Sequence, residues 1–355
     1  MRSNEGPFGS GYEKARRMRN EQTANQLAEA IKSETLNIDD FKTDENADEI
    51  ARDHRYIEET KKHFEDENGY HAKALERIFY FNVSQQNWLC DITDKSYESE
   101  AIAPTDYDDY RNRIDLATTV HTEEGPRTFG IDITTNPDPD VIRKKILFAS
   151  NDPNFDAPAG FGQLKYYADS TGYKGKLGPI PRYCIGINRE AVDDILDSTK
   201  ITSTGVHFGK LTPVEQFKIL QEMSAQNELF ETPLYAKEEE GTLTEEEEQC
   251  LRYIETLDAI YLDERARIAK LLPPWALKKG TDFGSITECL LDPENEPDET
   301  FASILAVTEE LYQDASDPDD PDKLKKAADR YKRRENGSVK QELGNTSNDI
   351  MKKVS

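Results

Sequence analysis

The stretch "NRIDLATTVHTEEGPRTFGIDITT", residues 112–135, places one aspartate in each of two runs that otherwise read as sheet. Strand interiors disfavour Asp, so Asp115 and Asp132 either face water or share a task. Alternation puts Ile114, Leu116 and Val120 on one face of the first run, and Asp115, Ala117, Thr119 and His121 on the other. In the second run Phe129, Ile131 and Ile133 oppose Gly130, Asp132 and Thr134. The polar "HTEEGPR" between them predicts a hairpin turn. Burying both apolar sets together requires paired residue numbers to add to an odd value, 247 for Ile114 with Ile133. Asp115 and Asp132 add to the same value, so their carboxylates project from one face within reach of a shared ion. Like charges so placed repel unless protonated, separated or bridged by a cation. A hard divalent ion such as Mg²⁺ or Mn²⁺ takes oxygen ligands of this kind.

The segments around the hairpin are helical. "EKARRMRNEQTANQLAEAIKSE" and "NADEIARDHRYIEETKKHFEDENG" are rich in helix formers, the second ending at Gly69 as a cap, and "YHAKALERIFYFNV" is a short apolar helix. Downstream, a helix is expected at Asp138–Phe148 with Pro139 in its first turn. "QLKYYA" and "RYCIGIN" read as two further strands, and "REAVDDILDS" as another helix. Residues 70–200 thus form an α/β (α+β) unit with a mixed four-stranded sheet flanked by helices. Thr212 with Pro213 and Glu215, and Thr244 with Glu247, are capping boxes. The second opens a helix whose Leu251, Ile254, Leu257, Tyr261, Ile268 and Leu272 form one apolar stripe, stopped at Pro273 and Pro274. Shorter helices are expected at 299–314 and 321–333. The organisation is therefore a disordered start (1–12), an N-terminal helical segment (13–69), the α/β core (70–200), an acidic C-terminal helical region (201–333) and a disordered tail (334–355).

Charge narrows the function. The chain has 45 Lys and Arg against 71 Asp and Glu, a net charge of −26 over 355 residues. Residues 231–265 alone hold twelve acids against Lys237, Arg252 and Arg265, whereas Arg2, Lys14, Arg16, Arg17 and Arg19 crowd the first twenty. Bulk electrostatics excludes a general nucleic-acid coat. A nucleic-acid partner would need a local basic surface or bridging metal ions, and a protein partner would use the C-terminal helices. Neither an apolar run of about 20 residues nor a secretory start is present, so a cytoplasmic protein without a membrane span is expected. Cys90, Cys184, Cys250 and Cys289 lie far apart, and with five histidines they make no zinc pattern; buried reduced thiols are expected. "GYKGKLGPIPR", 172–182, reads as an exposed loop with Lys174, Lys176 and Arg182 as possible phosphate contacts.

The run "PTDYDDYRNRIDLATTVHTEEGPRTFGIDITTNPDPDVIRKKI" resembles the core of the PD-(D/E)XK nuclease superfamily, the restriction-endonuclease-like fold, over about 130 of 355 residues. The resemblance implies a metal-dependent phosphodiester hydrolase, with Asp115 as the first aspartate and Asp132 as the acid of the acid-x-lysine motif. It implies Glu76 as the helical glutamate, with Glu58 and Glu59 as alternatives, and Mg²⁺ or Mn²⁺ held by Asp115, Asp132 and Glu76. Thr134 stands where the family has lysine, and threonine supplies no positive charge. A lysine must then reach in from elsewhere: Lys165, beside Gln163 on the adjacent strand, or Lys144 or Lys145 on the following helix. The alternative is a catalytically inactive nuclease-like scaffold that binds protein or nucleic acid through its helical flanks.

Overall fold

In the computed structural model the chain is described over residues 9–316, apart from 33, 65–69, 87, 89–98, 123–124, 149–156, 203–204, 208, 293 and 296–297, together with residue 326. The tail, the helix expected at 321–333 apart from residue 326, the Gly69 cap and Cys90 lie outside those residues. Three helices open the fold: α1 (Gly9–Ile31), α2 (Ala47–Phe64) and α3 (Tyr70–Gln86). Residues 9–12 are helical, so the disordered start expected for 1–12 does not extend that far. There follow β1 (Ser99–Ile102), α4 (Asp106–Asn112), β2 (Leu116–Thr122), β3 (Gly125–Thr134), α5 (Pro139–Leu147), β4 (Phe161–Ala168), β5 (Lys174–Gly186) and α6 (Arg189–Ser198). A small hairpin, β6 (Lys200–Thr202) and β7 (Gly205–His207), leads to α7 (Pro213–Glu240), α8 (Glu245–Ala269), α9 (Phe283–Leu290) and α10 (Glu299–Ala315). Among the described residues no helix is long and apolar enough to cross a membrane.

The fold is α/β, with a mixed sheet ordered β1-β2-β3-β5-β4. It has five strands rather than four, because the short β1 pairs antiparallel with β2. The β2–β3 hairpin is antiparallel, β3 and β5 are parallel with α5 in their connection, and β4 returns antiparallel to β5. Residues 172–182 are mostly β5 rather than a loop, since Lys174 opens that strand.

Both faces of the hairpin are buried, which corrects its simple two-face pattern. Leu116, Val120, Phe129, Ile131 and Ile133 join the main core, whereas Ala117 and Ile114 pack with Ile102, Leu164, Tyr167 and Ile180 in a second cluster. Ile114 was expected beside Leu116. It departs because the chain has just left α4 through Arg113, in the left-handed region at φ 53°, and enters the strand only at Leu116. Gly130 admits it, since a Cβ there would stand 3.0 Å from the Ile114 side chain.

Caps set the helix starts as their residues dictate. Asp138 caps α5 with Pro139 in the first turn, and both capping boxes form at Thr212 and Thr244. The long α7 then seals the sheet beyond the reach of β4. Gln226 accepts from the Cys184 N–H at 2.9 Å and donates to the Cys184 carbonyl at 2.7 Å, and Glu222 accepts from the Gly186 N–H at 3.0 Å. These side chains satisfy strand groups that would otherwise be buried and unpaired. The C-terminal helices thereby share one apolar core with the sheet, running from Ala24 of α1 to Ala315 of α10. Cys184, Cys250 and Cys289 are buried free thiols.

Candidate functional site

The hairpin ladder ends at Leu116 opposite Ile131, a register whose paired numbers add to 247. One residue outside the ladder, the Asp115 N–H donates to the Ile131 carbonyl at 2.8 Å, and the Asp115 carboxylate accepts from the Ile133 N–H at 2.7 Å. Asp115 therefore grips the β3 backbone beside Asp132, which β3 continues past the end of its partner. Asp132 is 1% exposed. One of its carboxylate oxygens accepts from the Lys145 ammonium of α5, and the other accepts from Arg182 Nη1 of β5 at 3.0 Å. Lys145 also donates to the Ile133 carbonyl at 3.1 Å. Arg182 is fully buried and donates to the Phe148 carbonyl at 2.9 Å and to the Lys145 carbonyl, so it ties the C-terminal end of α5 to the sheet. Burial opposes the Lys145 charge, but Asp132 and then Asp115 outweigh it and hold its pKa above the ordinary lysine value. For Arg182, burial prevails and lowers the pKa, with Asp132 opposing.

Two further acids face this pair. Burial raises the Glu76 carboxyl of α3 to about 7, with Arg77 opposing and Asp115 adding to the rise. Asp109 of α4 is pushed well above the carboxylate range by burial first, then by the charges of Asp115 and Glu76, and hydrogen bonds to Asp115. Asp115 itself is raised by burial and by Asp132, while Lys145, the Ile133 N–H and Asp109 pull the other way. Two cations meet Asp132, whereas the charge of Asp115 acts on both Glu76 and Asp109.

All four acids line one cleft of about 420 Å³. Its wall also holds His71, Lys73, Arg113, Lys145 and Arg189, five basic or imidazole side chains in a chain of net charge −26. The cleft thus combines a carboxylate floor with a locally basic rim.

Of the residues expected at a site, Glu76, Asp115 and Asp132 come together and Lys165 does not join them. Its ammonium pairs with Glu49 at 2.6 Å and with Asp53, both on α2, and lines a separate cavity with Lys42, Lys174 and Lys176. Gln163 is buried on β4 outside the cleft, Lys144 is exposed, and Glu58 and Glu59 are exposed on α2. Lys145, one turn of helix from Val141 on the cleft wall, reaches Asp132 instead. Asp109 carries no local signal in "TDYDDYRNR", where three acids take three tasks. Asp106 pairs with Lys61 at 2.7 Å, and buried Asp108 accepts from the Lys165 N–H at 2.7 Å and the Tyr166 N–H at 3.1 Å. Asp109 alone of the three enters the cleft.

Among the described residues no group of three or more His, Cys, Asp or Glu side chains is placed to hold a metal ion. The chain matches no family model, no curated protein and no solved structure.

Proposed function

We propose that the cleft is the active site of a metal-dependent phosphodiester hydrolase that cuts nucleic acid, of the PD-(D/E)XK type. The observation that carries this is the meeting of Glu76, Asp115 and Asp132 with a lysine, Lys145, under a basic rim in an otherwise acidic protein. Lys145 supplies from α5 the positive charge that Thr134 cannot. The order of helix, hairpin, helix and parallel strand supports the same assignment.

Carboxylate oxygens are the ligand type a hard cation takes. Burial raises the carboxyls of Glu76, Asp109 and Asp115, and the charge of Asp115 adds to the rise at Glu76 and Asp109. Asp115, Asp132 and Glu76 would hold Mg²⁺ or Mn²⁺, whose contribution is to offset their charge and make water more acidic. The chain's own groups do the rest. Lys145 and the cationic rim, Lys73, Arg113 and Arg189, attract and orient a phosphodiester. Burial of Asp132 and Arg182 keeps Lys145 from swinging away. Buried free thiols fit a cytoplasmic setting.

A non-catalytic scaffold is the second reading, favoured by one observation: both oxygens of Asp132 are already engaged by protein cations. End-labelled single- and double-stranded DNA and RNA, incubated with Mg²⁺, Mn²⁺ or chelator, decide between them. Cleavage is expected only with metal, and a fall of about 100-fold or more is expected in Asp115→Asn and in Lys145→Met. Cleavage that survives chelator, or is unchanged in Asp115→Asn, overturns the assignment. No cleavage of any substrate favours the scaffold.

A further inference from the structure

Hydrolysis needs a group to accept a proton from water, and the carboxylates of the cleft are committed elsewhere. Asp132 accepts from Lys145 and Arg182, and Asp115 accepts from the Ile133 N–H. Asp109 is hydrogen-bonded to Asp115, and Glu76 is paired with Arg77 at 2.9 Å. Lys145 is a cation and has no lone pair to offer. The cleft wall holds one imidazole, His71 in the first turn of α3.

Three helices orient that ring. It stacks on Tyr70 with centroids 4.0 Å apart and planes at 28°. His71 Nε2 lies 3.4 Å from a carboxylate oxygen of Asp193 on α6. Asp193 is in turn held by the Tyr70 hydroxyl at 2.7 Å and by Asn20 Nδ2 of α1 at 3.0 Å, and Asn20 is 1% exposed. A carboxylate beside Nε2 selects the tautomer with its N–H there, leaving Nδ1 with a free lone pair. Burial first, with Arg189 and Arg17 adding and Asp193 opposing, lowers the imidazole's proton affinity and favours the neutral ring.

We propose that His71, oriented by Asp193, is the general base of the cleft, taking a proton from the water that attacks a phosphodiester. The proposal rests on the hydrolase assignment above. In the step, the water oxygen forms a bond to phosphorus and its proton passes to His71 Nδ1. The bond from phosphorus to the leaving oxygen breaks, and that oxygen keeps the electron pair. Asp193 stabilises the imidazolium, which returns its proton to solvent. His71 acts on the water; Asp193 is a positioning residue.

Bis(4-nitrophenyl) phosphate with Mn²⁺ separates base from acid catalysis, because nitrophenolate leaves without a proton. His71→Gln is expected to lower kcat/KM on this probe by about 100-fold or more. Glu76 contributes its own loss of activity toward acid pH, so wild type should fall toward acid pH with the dependence of two protons and His71→Gln with that of one. Asp193→Asn removes the charge that favours imidazolium, and should move the His71 ionisation to lower pH while circular dichroism and melting stay close to wild type. A rate for His71→Gln within threefold of wild type, or an unchanged two-proton dependence, overturns the general base and leaves the hydrolase standing. Wild type that cleaves neither this probe nor an oligonucleotide with either ion overturns both.

Discussion

Replacing Asp132 with alanine is the sharpest test of the buried charge network. The carboxylate is 1% exposed and faces Arg182, which is 0% exposed, and Lys145, whose side chain is 22% exposed. With the anion gone, Lys145 keeps the Ile133 carbonyl and a path to water. Arg182 keeps only its carbonyl partners and becomes a buried charge with no bonded counter-ion. Removing one partner of a buried pair costs about 3–5 kcal/mol, and the orphaned guanidinium dominates that cost. A chain of 355 residues unfolds with an entropy of about 0.7 kcal/mol/K, so the melting temperature should fall by about 4–7 °C. The measurement is calorimetry in chelator at pH 7.5, which removes any contribution from bound metal. Arg182→Met leaves Asp132 with Lys145 and should also destabilise. The double substitution should cost less than the two singles together by about 1–3 kcal/mol, because it leaves no unpaired arginine. A loss under about 1 kcal/mol for Asp132→Ala, or strict additivity in the double variant, would refute the network as described.

Stability should also depend on pH through Glu76. Its pKa rises from 4.5 to about 7 on folding, so the stabilisation is complete below 4.5 and disappears as pH rises through about 7. Urea unfolding should show wild type losing up to about 3 kcal/mol more than Glu76→Gln between pH 4.5 and 8; parallel curves for the two proteins contradict it. Mn²⁺ should raise the melting temperature of wild type more at pH 8 than at pH 6, because Glu76 must lose its proton to bind, and should have little effect on Asp115→Asn. A shift that is equal at both pH values, or retained in Asp115→Asn, argues against these ligands. Gln226→Ala should cost about 2–4 kcal/mol in urea unfolding, since it strands the Cys184 N–H and carbonyl inside the core; a cost under about 0.5 kcal/mol removes the clamp from the account.

Much of the fold was legible because the signals are local. Thr212 with Glu215 and Thr244 with Glu247 each need only their own first turn to form a capping box, and both do. The parity of the hairpin follows from alternation, and the register bears it out. The five-stranded sheet was less legible: "SEAI" is too short to carry a period, and becomes β1 only because β2 offers it an edge. Two-sided burial of the hairpin was hidden for a similar reason, since what covers the second face comes from Leu164, Tyr167 and Ile180, far along the chain.

The candidate site divides along the same line. Sequence by itself determined the hairpin register that sets Asp115 beside the end of the ladder, since pairing depends only on parity, whereas the exit from α4 turned the Asp115 carboxylate to the Ile133 N–H. It also determined that Thr134 cannot serve as a cation. Which lysine approaches Asp132 was decided by tertiary structure, because the reach of a helical side chain depends on how its helix lies on the sheet. Lys165 sits on a strand but is turned toward the acids of α2, whereas α5 is tied down by Arg182 and delivers Lys145. Packing likewise chose Asp109 from three neighbouring acids and set His71 against Asp193, 122 residues away, because a contact between distant helices leaves no trace in the local sequence of either.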